Sequence, residues 1–395
     1  MTALVYLAWR HIAYRRITSL TLVLVMTTLM TIPMLAETLT RAAEARMMAR
    51  AQETPLVIGA AGASLDLALS AAYFRDPVDA DLTMEDYDWL LDTGLAELAP
   101  IHHAGRSRGL PIIGTEIDYF FLRNLAVAEG RLPVRIGEVV LGAGAAARLD
   151  AGEGDTVVSD VAQAFDLAGA YPVGLRVSGV LSPSGTPDDD AILTDLKTGW
   201  IVYGLGHGHE ELTAQSDPSV RLRTAEDGTL TANASLRTRE AISPDSLAEF
   251  HFHGAPETYP VSAVIALPPD RKASALLQGR VADRGGGHQI VRTGDEIRGL
   301  MDNVLRVAEI LRGVLLAVSI AALLAMALVV WLTAQMRRRE FEIARRLGAR
   351  RALPFALVGM ELGLLAAAAG ALSLALLFAA TRVGDGMAFI WMIGG

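Results

Sequence analysis

Three long apolar windows divide the chain and predict helices that span a membrane. They cover residues 17–36, 313–333 and 362–381, and none of them contains a charged side chain. A helix needs about 20 apolar residues to cross the hydrocarbon core of a bilayer. We therefore expect three transmembrane helices, with the residues between the first and second windows forming a large domain on one side of the membrane.

This intervening region carries the shorter patterns of a mixed domain. A helical pattern continues beyond the first window to residue 51 and predicts a stalk helix. Thr83 and Asp86 have the spacing of a capping box and predict the start of another helix. Short strand patterns, separated by Gly, Pro and Asp, cover residues 54–58, 139–141, 156–159, 175–181 and 191–196.

Alternating strand and helix patterns lead into the second apolar window. They consist of a strand at 261–267, a helix at 269–281, a strand at 288–291 and a helix at 295–311. We therefore predict an α+β membrane protein, in which a large two-lobed extracytoplasmic α/β domain is inserted between spans 1 and 2. The predicted divisions are 1–36 (cytoplasmic segment and first span), 37–305 (outer domain) and 306–395 (spans 2 and 3 with the segment that joins them).

A basic segment, residues 335–352, joins the second and third windows. Seven arginines lie among the fifteen residues from Arg337 to Arg351. Arginine-rich loops stay in the cytoplasm, so counting crossings puts the amino terminus inside and both residues 37–305 and the carboxyl end outside. Phe341, Ala344 and Leu347 recur at helical spacing and give this charged helix one apolar stripe. Such a stripe can dock into a groove on another protein.

The basic segment resembles the coupling segment of FtsX/MacB-type ABC transporter permeases. Their pattern is a basic run, then Arg-Glu-x-x-Ile-x-Arg-x-Leu-Gly-Ala, then a span that opens with Glu. The matching positions here are Arg339, Glu340, Ile343, Arg345, Leu347, Gly348, Ala349 and Glu361. The glycine-punctuated strands between Gly130 and Leu181 likewise resemble the MacB-like periplasmic core domain. Residues 37–305 would then be that core domain, and residues 306–395 an FtsX-like permease domain.

The resemblance also implies partners and a way of working. A cytoplasmic ABC ATPase would bind the coupling segment, and a second permease copy would complete a homodimer. The implied ATPase-coupling residues are Arg339, Glu340, Phe341, Ile343, Ala344, Leu347 and Gly348. ATPase closure would push on this segment and change the shape of the outer domain, which is mechanotransmission. The expected location is the inner (cytoplasmic) membrane, crossed several times.

Composition and absent motifs narrow the function further. The net charge of −9, with arginines concentrated near the membrane, argues against nucleic acid as a partner, and the lack of cysteine excludes disulfides and thiolate chemistry. No GxxxxGK[ST], GxSxG or HExxH motif occurs. The run from Val139 to Ala147 fits strand-GxGxxA-helix, but without the rest of a dinucleotide site it predicts a tight strand-to-helix turn. We expect no catalysis and no intrinsic cofactor, although an anchored enzyme stays a minor alternative.

The histidines offer the remaining chemistry. His207 and His209 form one His-x-His pair, and His251 and His253 form another. On a strand such a pair places both imidazoles on one face and can supply two nitrogen ligands to zinc. The alternative is a solvated glycine-rich loop at the first pair and a second pair that packs through its phenylalanines. Similar segments in some FtsX/MacB-type permeases are associated with metal traffic. The other candidates, His102, His103 and His288, are expected at the surface.

Three further features leave alternatives open. Glu361, one turn into the third window, is expected to be an interfacial cap, with Arg350 and Arg351 as partners in reach, rather than part of an ion path. The acidic run 188–190 resembles a short linker. The family has four spans, whereas residues 383–395 are too short for a fourth, so either three spans or an early end of the sequence explains the pattern.

The predicted function is that of a permease subunit, and its cargo is open. Divalent metal and lipoprotein or lipid are the candidates for transport, with an extracytoplasmic binding protein as an added partner. The alternative is an ATPase-coupled regulator of an outer partner such as a cell-wall hydrolase.

Overall fold

The computed structural model describes residues 2–75, 81–160, 172–208, 221–224, 230–232, 242, 250–252, 254–346, 348 and 352–393. The chain divides into two compact units. One contains Met1–Met47 and Gly299–Gly395, and the other contains Met48–Arg298. They are called the membrane unit and the outer unit below.

The described helices belong to both units, and the regular structure described in the membrane unit is entirely helical. In chain order they are α1 (Thr2–Tyr14), α2 (Arg16–Glu53), α3 (Ser64–Tyr73), α4 (Met84–Asp92), α5 (Ile117–Leu122), α6 (Ala143–Leu149), α7 (Leu196–Tyr203), α8 (Arg271–Arg284), α9 (Thr293–Met336), α10 (Arg338–Arg346) and α11 (Leu353–Ile393). Within the described residues, α2, α9 and α11 are long and apolar enough to cross a membrane. Each contains one of the apolar windows.

Helix α2 continues well beyond its apolar window. It passes Pro33 and ends at Glu53, so it forms the stalk that the helical pattern predicts. Helix α1 precedes it and was not predicted. The turn between them lies at Arg15, and α1 exposes Tyr6, Trp9 and Tyr14. Aromatic side chains of this kind are typical of helices that lie at a membrane–water interface.

The strands belong to the outer unit. They are β1 (Leu56–Ala60), β2 (Leu82–Thr83), β3 (Glu97–Ser107), β4 (Leu110–Thr115), β5 (Val127–Gly130), β6 (Glu138–Leu141), β7 (Thr156–Val158), β8 (Gly174–Leu181), β9 (Ile192–Asp195), β10 (Gly206–Gly208), β11 (Arg221–Thr224), β12 (Leu230–Ala232), β13 (Phe250–Phe252), β14 (Pro260–Val261), β15 (Ala263–Leu267) and β16 (His288–Val291). The predicted strands are present with boundaries shifted by a few residues. The predicted order of strand, helix, strand and helix from residue 261 onward is also confirmed.

A mixed sheet connects most of these strands. Among the described residues it runs in the order β16-β1-β15-β3-β4-β9-β6-β8-β5, with β7 also paired to β8. Strand β3 joins its two halves, because residues 97–101 pair with β15 whereas residues 102–107 pair with β4. One core cluster includes Val57 and Ile265 from the first half and Val140 and Leu193 from the second. The two predicted lobes therefore share one sheet and part of one core.

Local sequence explains where the helices begin. Thr83 caps α4 by accepting a hydrogen bond from the Asp86 amide, and the Asp86 carboxylate accepts one from the Thr83 amide, which confirms the capping box. Asp270 caps α8 through a single hydrogen bond, in which the Ala273 amide donates to Asp270 Oδ1 at 2.7 Å. Strand β1 is apolar without alternation and is buried along nearly its whole length, as a central strand requires.

Candidate functional site

The basic segment forms a short helix between two long ones. Helix α9 ends at Met336, and α10 extends over Arg338–Arg346 before α11 begins at Leu353. Helix α10 contains five of the predicted coupling residues, namely Arg339, Glu340, Phe341, Ile343 and Ala344. Ile343 is 61% exposed. An isoleucine with this exposure beside charged neighbours is available to a partner, although its coupling role stays a prediction.

The end of the segment changes the direction of the chain. Gly348 has a φ of +93°, which glycine adopts without the steric penalty of a side chain. Leu347, Ala349, Arg350 and Arg351 lie outside the described residues.

The two histidine pairs lie on neighbouring strands. Strands β10 and β13 pair in antiparallel register, with Gly206 opposite Phe252 and His207 opposite His251. His209 and His253 lie outside the described residues. Among the described residues there is no cluster of three or more His, Asp or Glu side chains suited to a metal ion. The fold thus brings one histidine of each pair to facing backbone positions, 44 positions apart in the sequence, and metal binding stays a prediction.

The GxGxxA run is a packed turn. Strand β6 ends at Leu141 and helix α6 begins at Ala143, as predicted. A Cβ atom placed on Gly142 would lie 2.1 Å from the backbone oxygen of Asp188. The glycine is required because the backbone of the 187–190 turn passes against it.

Among the described residues, Glu361 has two basic neighbours in the membrane unit, whereas the predicted partners Arg350 and Arg351 lie outside those residues. His11 Nδ1 of α1 lies 3.1 Å from Glu361 Oε1, and Arg337 Nη1 lies 3.5 Å from the same oxygen. All three side chains are at most 21% exposed. A carboxylate near the end of a membrane helix is thereby neutralised by a basic group from the end of the preceding helix.

The buried end of α2 is the feature that sequence reasoning missed. The guanidinium of Arg50 forms an ion pair with Asp188, with Nη1 to Oδ2 at 2.8 Å, and both side chains are at most 3% exposed. Arg50 Nε also donates to the Ala72 carbonyl at 2.9 Å. Arg50 follows Met47 by three positions along the helical pattern of α2, so a charge in that apolar stripe was the available signal.

Asp188 corrects a second expectation, because the acidic run is not a linker. Residues Pro187–Asp190 form a 3-10 turn, and the Asp188 carboxylate is enclosed by donors. It accepts hydrogen bonds from the Tyr119 hydroxyl and from Thr186 Oγ1, the latter at 2.7 Å. Burial alone would raise the pKa of Asp188, but the nearby Arg50 and Arg123 guanidiniums and these hydrogen bonds outweigh it and hold the pKa below its usual range.

Arg123 completes this cluster by holding the last turn of α2. Its Nη1 donates to the Glu53 carbonyl at 3.0 Å, and its Nη2 donates to Thr54 Oγ1 at 2.7 Å. The guanidinium carbon also lies 5.5 Å from the centre of the Tyr119 ring. The cation therefore binds one of the free carbonyls at the carboxyl end of the helix, where positive charge is favoured. We call Arg50, Tyr119, Arg123 and Asp188 the stalk joint.

Of the three histidines expected at the surface, His102 is buried, and His103 and His288 are partly buried. His102 lies on β3 with none of its surface exposed, its ring 5.1 Å from that of Tyr203. Neither ring nitrogen has a hydrogen-bond partner among the described residues. Burial, with a smaller effect of His103, lowers the pKa of His102 to about 3. His103 Nε2 lies 2.9 Å from Ser70 Oγ, and the mostly buried His288 lies 3.2 Å from Asp86.

A family model matches most of this architecture. The MacB-like periplasmic core domain matches residues 17–234, from the apolar window of α2 through β12. The chain belongs to this family. It is a MacB/FtsX-type ABC transporter component, with a mixed α/β extracytoplasmic domain and apolar helices of a membrane protein.

Two solved structures resemble the chain over most of their own length. The periplasmic region of MacB from Actinobacillus actinomycetemcomitans is 13% identical, over 64% of this chain and 95% of that one, with a TM-score of 0.35. The extracellular domain of the noncanonic ABC-type transporter YknZ from Gram-positive bacteria is 12% identical, over 60% and 98%, with a TM-score of 0.31. No curated protein matches the chain.

Proposed function

We propose that this MacB-like chain is the permease subunit of an ABC transporter and transmits ATPase-driven motion to its outer unit. The observation that carries the proposal is the continuity of α2. One helix contains an apolar window at its start and ends in the buried ion pair of Arg50 with Asp188. At 1.5 Å per residue its 38 residues are about 57 Å long, which exceeds the thickness of a bilayer.

A lever needs a fixed attachment as well as length. The stalk joint attaches α2 to two places in the outer unit, because Arg50 binds the 187–190 turn while Arg123, just after α5, binds the last carbonyl of the helix. Removing one partner of a buried pair leaves an uncompensated charge and destabilises by about 3–5 kcal/mol. This supports a joint that moves with the helix instead of sliding along it.

The cytoplasmic end of the mechanism is α10. Its exposed basic face and the exposed Ile343 suit a groove on an ATPase subunit, with apolar contact for affinity and charge for orientation. ATP hydrolysis itself belongs to that separate chain, and we expect two permease copies to act together.

The coupling role is tested by disrupting α10 without touching the helices on either side. Ile343→Asp places a charge in the proposed contact, whereas the neighbouring Glu342→Gln removes a charge whose partner among the described residues is Arg346, at 3.0 Å on the exposed surface. Tagged full-length chains are purified from native membranes, and the ATPase activity that copurifies with them is measured. Wild type and Glu342→Gln should bring down similar ATPase activity, whereas Ile343→Asp should lose most of it. Equal recovery in all three would reject α10 as the coupling site.

Motion in the outer unit needs its own readout. The chain has no cysteine, so Val134→Cys at a 70% exposed position gives one label per copy. Electron-spin distances between the two labels of a permease pair should change when ATP is added, and should stay fixed in Ile343→Asp. A label-to-label distance that stays the same with and without ATP in the wild-type complex would contradict mechanotransmission.

Divalent metal is the cargo class that a specific observation favours. The register of β10 and β13 places His207 opposite His251, and imidazole nitrogen is a preferred ligand of zinc. The full-length chain should bind zinc near neutral pH, and the double variant His207→Ala/His251→Ala should bind it at least tenfold more weakly. His288→Ala, on another strand, is the matched control. Equal zinc binding by all three chains would leave the lipid and lipoprotein alternatives.

A further inference from the structure

A cavity in the membrane unit combines basic and apolar walls. Helices α1, α2, α9 and α11 line it, with His11, Arg15, Arg337 and Glu361 among the polar residues. Leu22, Val329 and Leu362 are among the apolar ones. A wall of this mixed kind fits an amphiphile better than a wholly polar or wholly apolar ligand.

The polar groups leave a net positive charge. Glu361 is within 3.5 Å of both His11 and Arg337, so its charge is compensated inside the wall. Arg15 is half-buried, and it forms no ion pair with another described residue. The two arginines and one carboxylate of the wall give the cavity one excess positive charge, and within the described part of the chain Arg15 is the arginine of this wall that forms no ion pair.

The apolar walls lie deeper along the same helices. Arg15 lies in the turn just before α2, and Leu22 follows it by seven residues, or about 10 Å along a helix. Val329 lies on α9, eight residues or about 12 Å before Arg337, which directly follows the end of that helix. The arginines flank the apolar windows while Leu22 and Val329 lie within them. The cavity thus extends from the level of lipid headgroups toward the hydrocarbon core.

We propose that this cavity binds an anionic membrane phospholipid, with the phosphate at Arg15 and an acyl chain along Leu22 and Val329. Arginine suits a phosphate because its planar guanidinium donates two parallel hydrogen bonds to it. The side with arginine-rich segments is the cytoplasmic one, where anionic lipids meet basic pockets between helices. This inference requires only the membrane location of the helices and does not depend on how the ATPase is coupled.

Arg15 has a matched neighbour for the test. Arg16 is exposed, does not line the cavity, and contacts the Ala13 carbonyl through Nε at 3.3 Å. Native mass spectrometry of the full-length chain, given equal amounts of phosphatidylglycerol and phosphatidylcholine, should show retained phosphatidylglycerol in wild type. Arg15→Gln should reduce that retention about tenfold, as expected for the loss of one charge-assisted contact, and Arg16→Gln should not.

Three further measurements distinguish a bound phospholipid from free phosphate. Arg15→Lys should keep most of the retention, and Leu22→Trp should lower it by filling the apolar end without changing charge. Excess inorganic phosphate should not displace the lipid; if it did, free phosphate would be the ligand. Equal losses from Arg15→Gln and Arg16→Gln would indicate general surface attraction and overturn the site. Loss of a permease dimer in Leu22→Trp, with lipid retention unchanged, would assign the cavity to a second copy.

Discussion

Asp188→Asn should strongly destabilise the outer unit. The two carboxylate oxygens share the surrounding donors, because Oδ2 faces Arg50 Nη1 at 2.8 Å while Oδ1 faces Arg50 Nη2 at 3.3 Å. Whichever oxygen becomes an amide nitrogen, it then points a donor at the guanidinium. The variant loses a charge and at least one acceptor, and the buried Arg50 keeps only the mostly exposed Glu53 carboxylate, 3.9 Å away, as a described ion-pair partner. We expect a loss of about 3–5 kcal/mol in the free energy of unfolding.

Thermal unfolding of the full-length chain in detergent measures this effect. For a unit of this size each 1 kcal/mol shifts the Tm by about 2–4 °C, so the shift should be roughly 6–20 °C. Asp150→Asn is the control, because Asp150 is exposed and has a φ of 53°, a conformation that asparagine also tolerates. Its effect should stay within about 0.5 kcal/mol. Equal stability of the two variants would refute the importance of the pair.

A double variant separates the pair from its surroundings. Arg50→Met/Asp188→Leu removes both charges, so it should be less destabilised than the sum of the single variants. The pH dependence gives a further check. Because the pKa of Asp188 is lower in the folded chain than its usual 3.9, the pair stabilises fully above that value and loses its effect as the pH falls below it. The gap between wild type and Asp188→Asn should therefore narrow below about pH 4.

Three further predictions concern other parts of the chain. Gly142→Ala should destabilise by about 1–3 kcal/mol or more, because its Cβ would lie 2.1 Å from a backbone oxygen, whereas Gly152→Ala, with no atom within 4 Å, should be neutral in the same thermal assay. His102→Leu should flatten the pH dependence of the free energy of unfolding between about pH 3 and 6.5, because in wild type the unfolded chain binds a proton there that the folded chain excludes. That proton makes the wild-type free energy of unfolding rise by up to about 1.4 kcal/mol per pH unit. An unchanged slope in chemical denaturation at several pH values would contradict this. Reporter fusions at Arg346 and Ser184 should report the cytoplasm and the outside respectively, and the same side for both would reject the topology.

Local patterns predicted the parts of the fold that local physics controls. The capping box at Thr83 and the strand at His288–Val291 depend on residues close in sequence, and both are present. The stalk was predictable for the same reason, since the apolar stripe of α2 continues past its membrane window. Such features need no knowledge of the rest of the chain.

Side-chain burial was less predictable, because it depends on contacts between distant residues. Arg50 and Asp188 are separated by 138 positions, and the acidic run 188–190 looks like a solvated linker until the fold brings the guanidinium to it. His102 lies on a strand whose ends are polar, yet the packing of α7 against β3 encloses it. His11, a neighbour of Glu361, likewise comes from the opposite end of the chain, which no local pattern around Glu361 could indicate.

The stalk joint makes the outer unit dependent on the helix that enters the membrane. A buried carboxylate is stable only with a counter-charge and hydrogen-bond donors, and the ion-pair partner of Asp188 is supplied by the last turn of α2. The hydrogen bonds from Tyr119 and Thr186 come from neutral donors, and of the two guanidiniums that lower the pKa of Asp188, Arg50 is the one that forms an ion pair with it. A displacement of the end of α2 would therefore raise the energy of the outer unit unless the 187–190 turn moved with it. Because that turn also packs against Gly142, such a movement would reach the turn between β6 and α6. Under the proposed coupling, the 187–190 turn is therefore the part of the outer unit expected to follow the end of α2 first.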